Sequence, residues 1–478
     1  MKPSSFAKAI PGIILALCVF SLAYWFSSSR QAEDVSERVP QPVPPQSANQ
    51  PQAGQPAAPG AQPTPGTAAP AGTSLTASGA EPPALPGYWP RFRGPGLDNI
   101  SPETTPLLAK WAAGQPRILW SLDMGEGYAG AAVANSRVYV LDYDRAGQAD
   151  VLKCLALADG RELWRYSYPV SIKRNHGMSR TVPVVAGNYV VTLGPKCHVL
   201  CADAKTGKLF WTIDLVRQFG TVVPEWYAGQ CPLIENDKAI IAPGASALMI
   251  AVDCATGKIV WQTPNPDGWA MTHSSIMPMT VGGKRMYVYC ASGGVVGVDA
   301  HDGKILWKTD AWKVKIANIP SPLVIGDGRV LLTGGYNTGA MMIRVIKSGG
   351  GFNVETLYSL KPEVFSSDQQ TPIYYKGYIY GVRPGGQLVC MDLNGKPVWD
   401  SGTARFGLGP YMIAGGMIYA MNDTGALTLA AAGPSGYRQL AQARILNGHD
   451  SWGPMAMVGG RLIARDLTRM VCVDVGRR

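Results

Sequence analysis

A repeat of about 46 residues, a pair of hairpin-turn signals inside each copy, and a single unpaired strand ahead of the first complete copy together predict an all-β fold. The expected architecture is an eight-bladed β-propeller of four-stranded antiparallel blades, its ring closed by an N-terminal strand and preceded by a transmembrane helix and a disordered linker. The domain boundaries expected are a cytoplasmic stretch at 1–8, a membrane anchor at 9–26, a linker at 27–88 and the propeller at 89–478.

The repeat is read from the segment Cys201 to Trp211, which recurs as Ala251 to Trp261 and Gly297 to Trp307, and more loosely as Cys154 to Trp164 and Cys390 to Trp399. In each copy a glycine precedes the tryptophan by four residues: Gly160 and Trp164, Gly207 and Trp211, Gly257 and Trp261, Gly303 and Trp307, Gly395 and Trp399. Each glycine falls in a turn such as Ala255-Thr256-Gly257-Lys258, where it supplies a positive φ. An alternating strand precedes the turn and a short strand ending in tryptophan follows it, the indole being expected to bury ~200 Å² between neighbouring sheets. A second hairpin lies upstream, as at Val281-Gly282-Gly283-Lys284, so each unit reads as four strands.

The aspartate before the turn serves as a phase marker at Ala156 (in its place), Asp203, Asp253, Asp299, Asp392 and Asp474, with gaps of 47, 50, 46, 93 and 82 residues. The two long gaps each hold two repeats, which places degenerate blades near residues 340–358 and 425–442 and brings the total to eight. The eighth copy stops after Asp474 without its outer strand, while Arg117 to Leu122, containing Trp120, stands alone before the first copy. Pairing the two would seal the ring and remove an exposed sheet edge.

The N-terminus is built differently. Lys2 and Lys8 precede an uncharged stretch from Ala9 to Phe26, which as a helix rising ~1.5 Å per residue spans roughly 27 Å. Its end at Tyr24-Trp25-Phe26, followed by Glu33, Asp34 and Glu37, suits an uncleaved anchor with its N-terminus in the cytoplasm. The protein is therefore expected on the inner (cytoplasmic) membrane as a single-pass chain, the propeller on the periplasmic or extracytoplasmic side. Cys18 sits inside the apolar run and reads as a buried helix cysteine rather than a lipidation site. Residues 27–88 are rich in Pro, Ala, Gln, Gly and Ser, and so few large apolar side chains predict disorder and a tether function.

The Ala-x-Asp-x-x-Thr-Gly-Lys-x-x-Trp pattern resembles the PQQ-like (quinoprotein) β-propeller repeat over residues 116–475, and Tyr88 to Pro95 with Asn99-Ile100-Ser101 resembles the lead-in of secreted bacterial members. Two branches of that family have defined roles. Likeness to the outer-membrane assembly factor BamB implies a non-enzymatic scaffold in the cell envelope, with an envelope protein or polysaccharide as partner. Likeness to the quinoprotein alcohol dehydrogenases implies an oxidoreductase using PQQ with calcium. No adjacent cysteine pair and no Cys-x-x-Cys-His haem site occur, so no cofactor is predicted and the scaffold is the favoured role, with carbohydrate binding or processing as a further alternative.

The net charge of +10 comes without any nucleic-acid-binding signature, which points to solubility rather than to nucleic acid. Of nine cysteines, Cys154, Cys201, Cys390 and Cys472 share one repeat phase in different blades, too far apart to bridge, and read as small core residues. Cys197, His198 and Cys201 offer at most half a zinc site, so no metal is predicted. No catalytic residue is assigned either, because His449-Asp450 and His273-Ser274-Ser275 are sequence neighbours whose side chains point to opposite faces.

Polar residues gather where each inner strand opens. His176, His273 and His449 precede Pro183, Pro278 and Pro454 at similar spacing. Matching segments supply Glu225 with Trp226, Asn318, Asp368 with Gln369 and Gln370, Arg405, and Asp450 with Trp452. These residues are expected to ring one mouth of the central channel and to hold a ligand or partner. The plainer reading is that the loops are polar because they meet water.

Overall fold

The computed structural model describes residues 70–111 and 114–477. Their strands form eight separate sheets, each built on a four-stranded antiparallel meander. Blade 1 is Ala132–Ala134, Arg137–Asp144, Ala149–Ala156 and Glu162–Pro169; blade 2 is Val184–Ala186, Tyr189–Leu193, His198–Asp203 and Leu209–Asp214. Blades 3 to 7 open at Leu233, Met277, Leu323, Ile373 and Tyr411. Blade 8 holds Ala456–Val458, Arg461–Arg465 and Arg469–Asp474, and its outer strand is Arg117–Asp123 from the other end of the domain. The inner strand of blade 8 packs beside that of blade 1, which completes the ring. The degenerate blades are present: blade 5 is a long hairpin of Gly339–Ser348 and Gly351–Leu360, and blade 7 pairs Ala426–Ala431 with Gln439–Arg444.

The repeat motif joins one blade to the next. Trp164 lies over Gly207 of blade 2, Trp211 over Gly257 of blade 3, Trp261 over Gly303 of blade 4, and Trp120 over Gly160 of blade 1. A Cβ at any of these glycines would come within 2.5–2.9 Å of the indole. The glycine is thus needed twice, for its φ of +73° to +77° and for its missing side chain. In two of the four the indole N–H also donates to the next blade's turn, Trp211 to the Cys254 carbonyl at 2.8 Å and Trp120 to the Leu157 carbonyl at 3.0 Å, whereas those of Trp164 and Trp261 have no partner. Trp399 makes the same bond to the Gly433 carbonyl of blade 7 at 2.8 Å. In blade 5 the tryptophan is replaced by Tyr358, which covers Gly395. Trp307 departs from the pattern, because a Cβ on the turn glycines of blade 5's longer hairpin, Gly349 to Gly351, would meet nothing within 4 Å, and its N–H meets the Met286 sulfur at 3.1 Å.

The cysteines at one repeat phase follow from the same packing. Each faces the tryptophan of its own outer strand across the sheet: Cys154 with Trp164, Cys201 with Trp211, Cys390 with Trp399 and Cys472 with Trp120. Ala251 and Gly297 take the equivalent places opposite Trp261 and Trp307. Only a small residue fits there, since a Cβ on Gly297 would lie 2.1 Å from the Trp307 indole nitrogen. All eight described cysteines are buried and free.

Two segments ahead of blade 1 brace the ring. Ser74–Ala77 adds a fifth strand to the outer edge of blade 1, with Ala77 opposite Trp164. The linker expected to run to residue 88 therefore gives way to ordered chain from residue 70. All four strand side chains are exposed, so the order comes from backbone hydrogen bonds to an open edge, which a count of apolar residues does not register. Residues 89–108 form a strap at one end of the channel. Trp89 exchanges backbone bonds with Val133 of blade 1, the Pro90 carbonyl accepts from Val185 of blade 2, and Arg91 reaches the Ile234 carbonyl of blade 3. Two residues later Arg93 bonds the Thr371 and Pro372 carbonyls of blade 6, both at 2.9 Å, so the strap crosses the channel. Ile100–Ser101 then runs parallel to Tyr411–Ala414 of blade 7. The only α-helix among the described residues is Leu215–Phe219, and none there is long and apolar enough to cross a membrane. The anchor expected at 9–26 and the rest of the linker lie outside the described residues.

Deleting residues 116–122 is expected to abolish cooperative unfolding in denaturant, and a variant that melts like the parent would refute ring closure by this strand. Gly207→Ala should destabilise the fold by at least ~1 kcal/mol more than Gly187→Ala. Both glycines have positive φ, but only Gly207 meets a ring, so equal losses in urea titrations would show that the indole contact contributes nothing.

Candidate functional site

The loops that open the inner strands converge on the channel axis and enclose a cavity of about 310 Å³. All eight blades contribute through these lead-in loops, among them Tyr128 before blade 1, His176 and Arg180 before blade 2, Trp226 and Cys231 before blade 3, His273 and Ser275 before blade 4, Ile319 before blade 5, Gln369 and Gln370 before blade 6, and Trp452 before blade 8. Leu408, before blade 7, also lines it, as do Tyr336 from a blade 5 turn and Phe92 from the strap. Because the strap lies across the channel beneath Phe92, the cavity opens toward the loop face.

A hydrogen-bond chain fixes the spacing of these loops. The backbone N–H of Val182 points to the Cys231 sulfur at 3.2 Å, that of Cys231 donates to Ser275 Oγ at 2.9 Å, that of Ser275 to Ser321 Oγ at 3.0 Å, and that of Ser321 to Thr371 Oγ1 at 2.8 Å. Each link joins one blade to the next with a small polar side chain at the same phase. Ser275 and Cys231 are thereby committed to architecture. Tyr128 and Trp452 stack with ring centres 5.1 Å apart, and the Tyr128 hydroxyl donates to Asp450 Oδ2 at 3.1 Å. Trp226, Tyr227, His176 and Asp450 all hold left-handed backbone, an unusual concentration for residues with side chains.

Of the residues picked out by repeat phase, His176, Trp226, His273 and Gln369 line the cavity, and so do Gln370 and Trp452. The others stand elsewhere. Glu225 is exposed, and Arg405 is exposed and bonds the carbonyls of Gly402 and Ala404 in its own loop. Asn318 is buried beside the Cys290 thiol. Asp368 is half-buried against Gly335, where burial raises its carboxyl pKa. His449 projects into solvent, its Nδ1 3.3 Å from Asp450 Oδ1, and Asp450 acts on the cavity only through Tyr128. Phase alone could not tell an inward from an outward side chain on loops of unequal length. Tyr128, Arg180, Tyr336 and Phe92 were missed. Arg180 lies in the His176 loop three residues before Pro183, whereas the lead-in to blade 1, Gly125 to Ala131, has no proline to mark its phase.

The electrostatics of the wall rest on Arg180 and His273. Arg180 is partly buried with its Cζ 5.1 Å from the centre of the Tyr128 ring, and desolvation lowers its pKa to about 10, which still leaves it cationic. Burial first, and the Arg180 charge second, push His273 down to about 4, so its imidazole is neutral at pH 7. The His273 ring packs on Gly229, where a Cβ would come within 2.7 Å, and lies 6.5 Å from Trp226. No Asp, Glu or Lys lines the cavity, and among the described residues no cluster of three His, Cys, Asp or Glu could hold a metal. Calcium needs six to eight oxygen ligands, carboxylates foremost, so this wall does not fit the calcium that accompanies PQQ.

Because His273 is neutral when folded and has an ordinary pKa when unfolded, its contribution to stability is present above pH 6.5 and is lost as pH falls toward 4. His273→Gln should flatten the acid limb of the stability curve by up to ~1.4 kcal/mol per pH unit over that window. Parallel curves for parent and variant in urea titrations at pH 7 and 4.5 would contradict the buried neutral state.

The comparisons with known proteins agree with this architecture. The chain is 22% identical to the outer membrane protein assembly factor BamB of Moranella endobia (strain PCIT) over 322 residues, covering 65% of this chain and 68% of that one. Among solved structures, BamB from Moraxella catarrhalis superposes with a TM-score of 0.53 at 14% identity, covering 75% of this chain and all of the other, and shares the fold. A europium-containing methanol dehydrogenase gives a TM-score of 0.46 at 13% identity over 81% of this chain and 90% of that one. The family model described as outer membrane protein assembly factor BamB matches residues 147–401, more than half of the sequence, and the chain belongs to that PQQ-repeat propeller family.

Proposed function

We propose that the chain is a non-enzymatic binding module of the cell envelope, tethered to the inner membrane by residues 9–26, whose loop face receives an envelope protein. The observation that carries this reading is convergence: lead-in loops of successive blades direct aromatic and polar side chains into one axial cavity whose other end is covered by the strap. Membership of a family named for an outer membrane assembly factor supports it. So does the chemistry of the wall, where the histidine is neutral and tied to neighbouring loops and the serine belongs to the inter-blade chain. A polysaccharide partner is the second reading, favoured by the half-buried indoles of Trp226 and Trp452, which offer stacking surfaces at the mouth.

The test is cross-linking and co-purification of the full-length chain from its membrane, parent against a Trp226→Ala, Trp452→Ala double variant. The captured envelope protein is expected to fall by about tenfold, the loss typical of truncating central aromatic anchors. Undiminished capture by a folded variant would remove the loop face as the receiving surface. A glycan panel run on the same pair decides the second reading.

A further inference from the structure

Three arginines of the propeller, Arg93 and Arg465 buried and Arg180 partly buried, are used in different ways. Arg93 donates to four backbone carbonyls, those of Leu97, Thr371, Asp98 and Pro372. Arg465 donates to the carbonyls of Ala129, Leu141 and Gly125 and lies 3.8 Å from Asp142. Both are structural, each guanidinium donating to at least three carbonyls, although the Nε of Arg465 is itself without a partner. Arg180 has one weak bond, from Nη2 to the Asn175 carbonyl at 3.4 Å, while its Nε is buried without a partner and no carboxylate pairs with it among the described residues. A guanidinium has five N–H donors, and removing them from water without replacement is costly. The side chain that bears this cost lines the axial cavity.

His273 adds a second unused group. Its ring is held toward the backbone of Glu225 and Tyr227, and its Nε2 is buried with no partner. With one ring nitrogen donating to those carbonyls, the neutral imidazole presents Nε2 as an acceptor.

We propose that the axial cavity binds a small organic acid as its monoanion, the carboxylate engaging the Arg180 guanidinium in a fork and a flat apolar body lying against Tyr128, Trp226 and Trp452, with one donor group of the ligand on His273 Nε2. A single charge is called for because Arg180 is the one arginine in the wall and neither a lysine nor a helix N-terminus joins it, so a phosphate dianion would be left half-neutralised in a desolvated site. The size follows from about 310 Å³, at the lower end of small-molecule pockets. The inference rests on the loop face being the receiving surface, and it names what the deepest part of that surface recognises.

The test compares indole-3-acetate with indole-3-acetamide, which has the same body and N–H but no charge, by calorimetric titration of the full-length chain in detergent. The parent should bind the acid at least ~10-fold more tightly than the amide, the scale of one charge-assisted pair. Arg180→Gln should erase that preference. Equal binding of acid and amide to the parent, or binding of neither, overturns the anion site, while the loop face as a receiving surface stands or falls by the capture experiment. Preference retained in Arg180→Gln also overturns the proposal. Should that variant fail to fold, Arg180→Lys decides instead, because a point charge without the planar fork is expected to lose most of the preference, and full retention counts against the proposal.

Discussion

The seating of an indole on the turn glycine of the next blade is the contact on which the ring depends. A propeller blade alone is a small twisted sheet with two faces to bury, and it gains stability only by stacking on its neighbours. Here the stacking is keyed. Trp120, Trp164, Trp211 and Trp261 each require a glycine in the following blade and a small residue opposite in their own, which sets both the angle between sheets and the composition of two repeat positions. Where the key is missing, in blade 5, the sheet lengthens to ten-residue strands and Tyr358 takes the role of the indole toward blade 6.

Closure at the axis uses different chemistry. Outer contacts are apolar and bulky, whereas the inner strands meet where there is room only for Cys231, Ser275, Ser321 and Thr371 to pass hydrogen bonds from blade to blade. The strap then crosses the channel and is fastened by Arg93, whose buried charge is spread over four carbonyls of the strap and blade 6. An eight-fold ring thus becomes a cup. The asymmetry of the strap is what distinguishes one end of a nearly symmetric assembly from the other and gives the loop face a floor.

The candidate site was legible only in part, for a physical reason visible in individual residues. His273 and Trp226 were found because they occupy the repeat phase that opens an inner strand, and the backbone there carries their side chains inward. Arg405 and His449 occupy the corresponding phase and turn outward, Arg405 bonding carbonyls of its own loop and His449 lying in solvent beside Asp450. Tyr128 and Arg180 were invisible as a pair, being 52 positions apart and joined only by a cation over a ring. Phe92 falls in the Tyr88 to Pro95 segment, which stands out in sequence only by resemblance to a lead-in, and is in three dimensions part of the cavity wall.

What the sequence by itself determined is the periodic part: blade number, strand order, the turn glycines, the degenerate copies and the strand at Trp120 that completes the last blade. These follow from local rules, since a turn needs a positive φ and a strand needs alternation, and repetition makes a weak local signal strong. Tertiary structure alone decided what each repeated residue touches. The tryptophan and glycine four residues apart in one motif never meet each other but pack on different blades. Ser74–Ala77 orders by borrowing an open edge, and Arg180 is left without a carboxylate beside a neutral His273. Contacts between blades and across the channel join residues distant in sequence, and burial, which governs the electrostatics of the cavity, exists only once the ring has closed.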